Sequence, residues 1–204
     1  MLNKLIVFEG VDGSGKTTTI EHVLNKMRDN GKTAISYKFP VYDSPTGEMI
    51  KEILSKKTDT IPNNVFKLFA LNRYLHKSHL EELIAAHDYV IVDRYMISNI
   101  VYSSAIQELD MQDIEEEYTE FEFDILQLPK WDDIYLIDIS IEHLQNVISE
   151  RSKTGDANDT DFELLVNVDR LYKKYFKKYN HNIVPFTDLE LRASLIYDSI
   201  LSLP

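Results

Sequence analysis

The stretch that decides the fold is GVDGSGKTT, Gly10–Thr18. Gly10, Gly15, Lys16 and Thr17 satisfy the pattern G-x-x-x-x-G-K-[ST], the mark of a loop whose backbone N–H groups cradle phosphate. Glycine permits the torsions such a wrap needs, and a helix N-terminus beyond it adds partial positive charge. The context agrees: KLIVFE (Lys4–Glu9) is an apolar run of strand length, and residues 15–30 carry a helical pattern. The reading is a nucleoside triphosphate site formed by Gly10, Val11, Asp12, Gly13, Ser14, Gly15, Lys16, Thr17 and Thr18. Lys16 is expected to reach the β- and γ-phosphates, and the Thr17 hydroxyl to ligate Mg2+.

Outward from the loop, strands and helices alternate. TAISYKF (Thr33–Phe39), YVIVD (Tyr89–Asp93), IYLIDI (Ile134–Ile139) and NIVPF (Asn182–Phe186) join KLIVFE as strands. They are apolar and β-branched almost throughout, as strands covered on both faces are. Helical patterns lie between them at about 15–30, 46–56, 62–87, 97–106, 141–151, 161–179 and 188–203. The expected fold is α/β: a five-stranded parallel sheet flanked by helices, in one domain spanning 1–204. Two segments stand apart. ELDMQDIEEEYTEFEFD (Glu108–Asp124) is acidic and reads as a solvated helix and loop. SKTGDANDT (Ser152–Thr160) is polar and reads as a surface loop or, given its position, a lid.

The 204 residues suit one domain with a substantial core. No cysteine is present, so disulfides, thiolate metal sites and a cysteine nucleophile are excluded. No apolar stretch approaches the ~20 residues of a membrane helix, and no signal-peptide pattern opens the chain; the expectation is a cytoplasmic protein. A net charge of −12 argues against general affinity for nucleic acid or anionic membranes. It also means that a phosphate-handling site must gather cations locally.

A second cluster follows the third strand, where Asp93 is succeeded by Arg94. In a parallel sheet the carboxyl ends of neighbouring strands share one edge, where ligands bind. Asp93 is therefore expected near the phosphate loop, holding Mg2+ or orienting Arg94, which suits bidentate contact with a phosphoryl group; the alternative is a strand-end salt bridge with no chemistry. Phe69 and Arg73 lie four apart on a helix and share a face. They fit a planar base with a carbonyl edge, and equally a core phenylalanine with a surface arginine. Guanine recognition by N-K-x-D is missing: Asn25-Lys26 continues as Met27-Arg28.

Taken together, EGVDGSGKTT, FP at Phe39-Pro40, LFALNR (Leu68–Arg73), DRYMISNIVYSSA (Asp93–Ala105) and LPKWD (Leu128–Asp132) resemble thymidylate kinases in order along nearly the whole chain. The resemblance implies a phosphate-loop fold of the nucleoside monophosphate kinase type, with a short lid at about 151–160. It implies transfer of the ATP γ-phosphoryl group to dTMP, giving dTDP, with Mg2+, in a homodimer. It assigns Phe69 to stacking on thymine and Arg73 to a base carbonyl. Asn99, with Ser98, would read the rest of the base edge, and Tyr102 would stand against the sugar 2′ carbon. Asp12 would lie near the 3′-hydroxyl and the metal, and Phe39 and Pro40 would begin the loop that contacts the nucleotide. Arg94 and Tyr42 would hold the acceptor phosphate. Three features depart from the family pattern. Val41-Tyr42 stands where many members have an arginine after FP, Gly13-Ser14 where some place a catalytic arginine, and Trp131 where a second proline is usual. The missing catalytic charge would come from Arg151 or Lys153 in the lid, and Asp159 would replace a carboxylate kept there. Kinases of other nucleotides, a non-catalytic nucleotide-binding subunit and a partner-remodelling ATPase stay open as alternatives.

Overall fold

The computed structural model describes residues 3–55, 65–154 and 162–203, with 151–154 described by backbone alone. Its strands are β1 (Lys4–Glu9), β2 (Ala34–Lys38), β3 (Tyr89–Asp93), β4 (Asp133–Ile137) and β5 (Asn182–Val184). They form one sheet in the order β2-β3-β1-β4-β5, and every pairing is parallel. The period-2 alternation of side chains divides β1 between two cores. Leu5 and Val7 face one, with Val90, Val92, Ile134 and Leu136. Ile6 and Phe8 face the other, with Ile91, Tyr135 and Ile137. Both faces of the central strands β1, β3 and β4 are buried, which is why polar and charged residues there sit mainly at the strand ends.

The helices are α1 (Lys16–Asp29), α2 (Pro45–Ser55), α3 (Val65–Leu75), α4 (Lys77–Ala86), α5 (Met96–Gln107), α6 (Met111–Thr119), α7 (Ile141–Thr154), α8 (Phe162–Lys178) and α9 (Leu189–Leu201). Ile20, Val23, Leu24 and Met27 of α1 and Ala193, Ile196 and Ile200 of α9 close the second core. Residues of α3, α4, α5 and α8 close the first. No helix among the described residues is long and apolar enough to cross a membrane.

Two expectations change. The single helix read over 62–87 is two helices, parted at His76. There the His76 N–H bonds Arg73 O at 3.2 Å, a tightened turn, and the ring meets the Tyr37 hydroxyl at 3.2 Å. This bend lets α4 bring Leu80 onto the sheet, where it is 1% exposed. The acidic segment is also less solvated than its charge suggests. Met111, Ile114 and Tyr118 of α6 are buried, and Glu122 is wholly enclosed in a π-helical turn, Glu120–Ile125. Leu126 N–H donates to Phe121 O at 3.0 Å, five residues back, which defines that turn.

Candidate active site

The site forms where β1 and β3 end side by side. The parallel register sets Phe8 against Asp93 and Lys38 against Asp93, so the phosphate loop, Asp93-Arg94 and the end of β2 share one edge. Gly10, Gly13 and Gly15 all take positive φ, at 147°, 90° and 81°. A Cβ on Gly10 would stand 2.8 Å from Ile137 O, so only glycine lets the loop pass β4. Between the loop and Arg94 lies a cleft of about 270 Å³, lined by Asp12, Lys16, Thr17, Thr18, Lys38, Asp93, Arg94 and Val147 among others.

Its cations rest on protein oxygens. Lys16 Nζ donates to Gly10 O at 2.8 Å and Val11 O at 3.1 Å. Burial first, and the Arg94 charge next, push the Lys16 ammonium down to about 8. Arg94 itself has φ 69°, uncommon for a residue with a side chain. Its N–H is held by Phe8 O at 3.0 Å. Arg94 Nη2 donates to Asp12 Oδ1 at 2.7 Å, and Nη1 to Ser98 Oγ at 3.1 Å and to the Tyr172 hydroxyl at 3.3 Å. Tyr102 donates to Asp12 Oδ2 at 3.2 Å, and its ring lies 5.3 Å beneath the guanidinium. Asp12 stands at the open mouth of the cleft, crowded by protein yet reached by water. Crowding alone would raise its carboxyl, but Arg94 and Lys16 outweigh that and hold it well below the usual range. Tyr42, 43% exposed, is close enough for its phenol to feel both Asp12 and Arg94.

Beneath Arg94 sits Glu9, wholly buried at the end of β1. It accepts from Tyr95 N–H at 2.8 Å, Ser98 N–H at 3.2 Å, Ser98 Oγ at 2.6 Å and the Tyr172 hydroxyl at 3.0 Å. Burial pushes the Glu9 carboxyl up, against those four donors. Glu9 thus caps the first turn of α5 from another element and fixes the backbone that aims Arg94. The motif reading passed over Glu9, although a carboxylate closing an apolar strand beside a phosphate loop was a signal. Arg192 of α9 was also missed. Its Nη1 donates to Ser14 O at 3.2 Å and Thr19 Oγ1 at 3.3 Å, bracing the loop from behind. Lys38 completes the edge, 3.7 Å from Asp93 Oδ2.

The residues fit Mg2+. Thr17 Oγ1 lies 3.4 Å from Asp93 Oδ2, and Asp93 Oδ1 is buried without a hydrogen-bond partner among the described residues. No group of three or more acids or histidines converges among those residues. A sparse donor set of this kind suits a cation that keeps water and takes phosphate oxygens as its other ligands.

On the acceptor side, Phe69 is partly buried and stacks on Phe66, with ring centroids 6.3 Å apart. Arg73 and Asn99 are brought together, 2% and 3% exposed, but both are engaged by Glu122. Phe39 does not line the cleft. It is 1% exposed and packs with Tyr37 and Tyr95 in the core, because alternation along β2 turns it inward. Pro40 follows through a cis peptide bond. The side chains of Arg151 and Lys153, and all of Asp159, lie outside the described residues.

The order of these parts recurs in known proteins. A family model described as thymidylate kinase matches residues 8–192. A probable thymidylate kinase of Saccharolobus solfataricus is 32% identical over 184 residues, covering 90% of this chain and 88% of that one. The chain belongs to the thymidylate kinase family. A thymidylate kinase of Arabidopsis thaliana is 36% identical over 101 residues, a match that spans half of this chain and 38% of that protein. The solved thymidylate kinase of Candida albicans superposes with a TM-score of 0.74 at 22% identity, covering 98% of this chain and 92% of that one; this shows the shared fold. Membership makes the chain an ATP-dependent nucleoside monophosphate kinase, in a family whose reaction converts dTMP to dTDP.

Proposed function

We propose that the cleft transfers the γ-phosphoryl group of ATP to dTMP, with Lys16 and the loop N–H groups holding ATP and Arg94 and Tyr42 holding the acceptor phosphate. The observation that carries this reading is Arg94. Its left-handed backbone aims a partly buried guanidinium at the loop, across the cleft from Lys16, Thr17 and Asp93. Phosphoryl transfer asks little covalent chemistry of a protein. It needs two anions brought together in line and their charge offset. An oxygen of the acceptor phosphate bonds the γ-phosphorus while the bond to the β-γ bridging oxygen of ATP breaks. The acceptor is already largely ionised near neutral pH, so no base has to remove a proton. Lys16 exchanges Gly10 O and Val11 O for phosphate oxygens, and Arg94 exchanges Asp12. Thr17, Asp93 and Asp12 would hold Mg2+, which would supply positive charge to offset that of the phosphates.

Tyr102, pinned to Asp12 and Arg94, stands against the sugar 2′ carbon. Phe69, Arg73, Asn99 and Ser98 take the base. The segment 151–160 acts as the lid and Arg151 as its cation; Val147 of α7, which leads into it, already lines the cleft. The enzyme works as a cytoplasmic homodimer, joined through the helices that flank the Asp93–Ala105 segment. A coupled assay of ADP release tests the function. Release is expected with dTMP and only at background without an acceptor. ATP turnover that ignores the acceptor overturns it.

The state of Lys16 yields a second expectation. With its ammonium near 8 in the free protein, a large share is neutral at about pH 8.5, and phosphate binding raises it again. ATP binding should therefore take up a proton. Calorimetry in buffers of differing ionisation enthalpy should find almost none at about pH 6.5 and roughly half a proton or more at about pH 8.5. Uptake that stays flat at zero removes Lys16 as the titrating group.

A further inference from the structure

Glu122 belongs to no motif. It lies in the acidic segment, yet it is the most enclosed charged side chain on the acceptor side of the fold, 0% exposed. It accepts from Arg73 Nε at 2.8 Å, forms a short contact with Arg73 Nη2, and accepts from Asn99 Nδ2 at 3.2 Å. The other hydrogen bond of Asn99 Nδ2 goes to Phe66 O at 3.0 Å. An ionised carboxylate and a backbone carbonyl can only accept. Two such groups on one side of the Asn99 amide force its NH2 toward them and its Oδ1 away. By the same logic Arg73 spends Nε and Nη2 on Glu122. No described residue hydrogen-bonds Arg73 Nη1 or Asn99 Oδ1. The ring of Tyr95, 5.7 Å from Arg73 Cζ, covers the guanidinium face, so Arg73 cannot swing freely.

We propose that Glu122 is a positioning residue that sets base specificity. It fixes Arg73 with Nη1 outward as a donor and Asn99 with Oδ1 outward as an acceptor. This pattern matches a 4-oxo pyrimidine, whose O4 accepts and whose N3–H donates. It opposes cytosine, whose N4 amino group donates and whose N3 accepts. The inference rests on the reading above that Arg73 and Asn99 meet the base. Glu122 earns its burial by making the polarity of that edge unambiguous: a carboxylate has no donor with which to satisfy a reversed amide. The π-helical turn is the local device. One extra residue in the helix turns Glu122 inward between Phe121 and Phe123, which are both partly buried.

Glu122→Gln is nearly isosteric but offers an NH2 as well as an oxygen. It lets the Asn99 amide turn over and leaves Arg73 without its charged partner. In this variant the KM for dTMP is expected to rise about tenfold while kcat stays within about threefold, and the preference for dTMP over dCMP in kcat/KM should fall at least about tenfold. ATP affinity, measured by calorimetry, should stay within about twofold, because the loop is untouched; this separates a positioning loss from general unfolding. An unchanged KM and an unchanged dTMP/dCMP ratio overturn the proposal, as does a loss of turnover at saturating dTMP with KM intact. Should the variant not fold, a crystal structure of the unmodified enzyme with dTMP decides. Arg73 Nε and Nη2 and Asn99 Nδ2 are expected to remain on Glu122 with the base on the opposite sides, and an Arg73 that leaves Glu122 for the base overturns it. If the unmodified enzyme itself does not favour dTMP over dCMP, the assignment of the base site fails before Glu122 is tested.

Discussion

Arg94→Ala is expected to lower turnover at least ~100-fold, the scale of losing one preorganised charge contact to a reacting group. The geometry explains why nothing nearby replaces it. Lys16 and Lys38 serve the loop side of the edge, and no other described arginine reaches Asp12, Tyr102 and Tyr172 together. The backbone at Arg94 is bent into the left-handed region to make this approach, at a cost of order 1 kcal/mol or more. Alanine keeps the bend and loses the guanidinium. Arg94→Lys should recover only part of the rate, since an ammonium cannot span two phosphate oxygens as a planar fork does. Steady-state kinetics at saturating ATP and dTMP checks both variants. A near-normal rate for alanine would take Arg94 out of the mechanism.

The largest effect on stability is expected from Gly47→Ala. The added Cβ would lie 2.0 Å from Val41 O and 2.6 Å from Tyr42 Cα, both backbone atoms with no side chain to rotate aside. Relief requires the segment after β2 to lift off α2. That segment is tied down by Asn72, whose Oδ1 accepts from Val41 N–H at 2.8 Å and whose Nδ2 donates to Val41 O at 3.2 Å. Overpacking plus the strain on this pair should cost about 3 kcal/mol, lowering Tm by roughly 6–12 °C in a chain of this size. Tyr42 rides on the same segment, so KM for dTMP should rise as well. Thermal unfolding followed by circular dichroism checks the first, and kinetics the second. A Tm within about 2 °C of the unmodified protein would mean that the segment yields without cost.

Motifs formed from neighbours in sequence were legible. GVDGSGKTT needs only a preceding strand and a following helix to make its loop, and both announce themselves through local periodicity. Asp93-Arg94 could be set beside it because strands in a parallel sheet end together. The helix break at His76 was not legible, because the pattern continues through it and the bend answers to Tyr37 and to the packing of Leu80. The resemblance sets Phe39 at the start of the loop that contacts the nucleotide; its place in strand alternation sends its ring into the core. Glu122 was hidden by its neighbours. In a run of acids each one looks solvated, and only a buried Arg73 distinguishes this one.

The linear order of residues thus determined the parallel sheet, the phosphate loop and the arginine at the adjoining edge, since each follows from torsional preference and periodicity within about a dozen positions. Only the folded chain decided what holds those parts in place. Glu9 meets Tyr172 across 163 positions, Ser14 meets Arg192 across 178, and Arg73 meets Glu122 across 49. A buried charge must find a partner wherever the packing of helices on the sheet brings one, and spacing along the chain carries no record of that encounter.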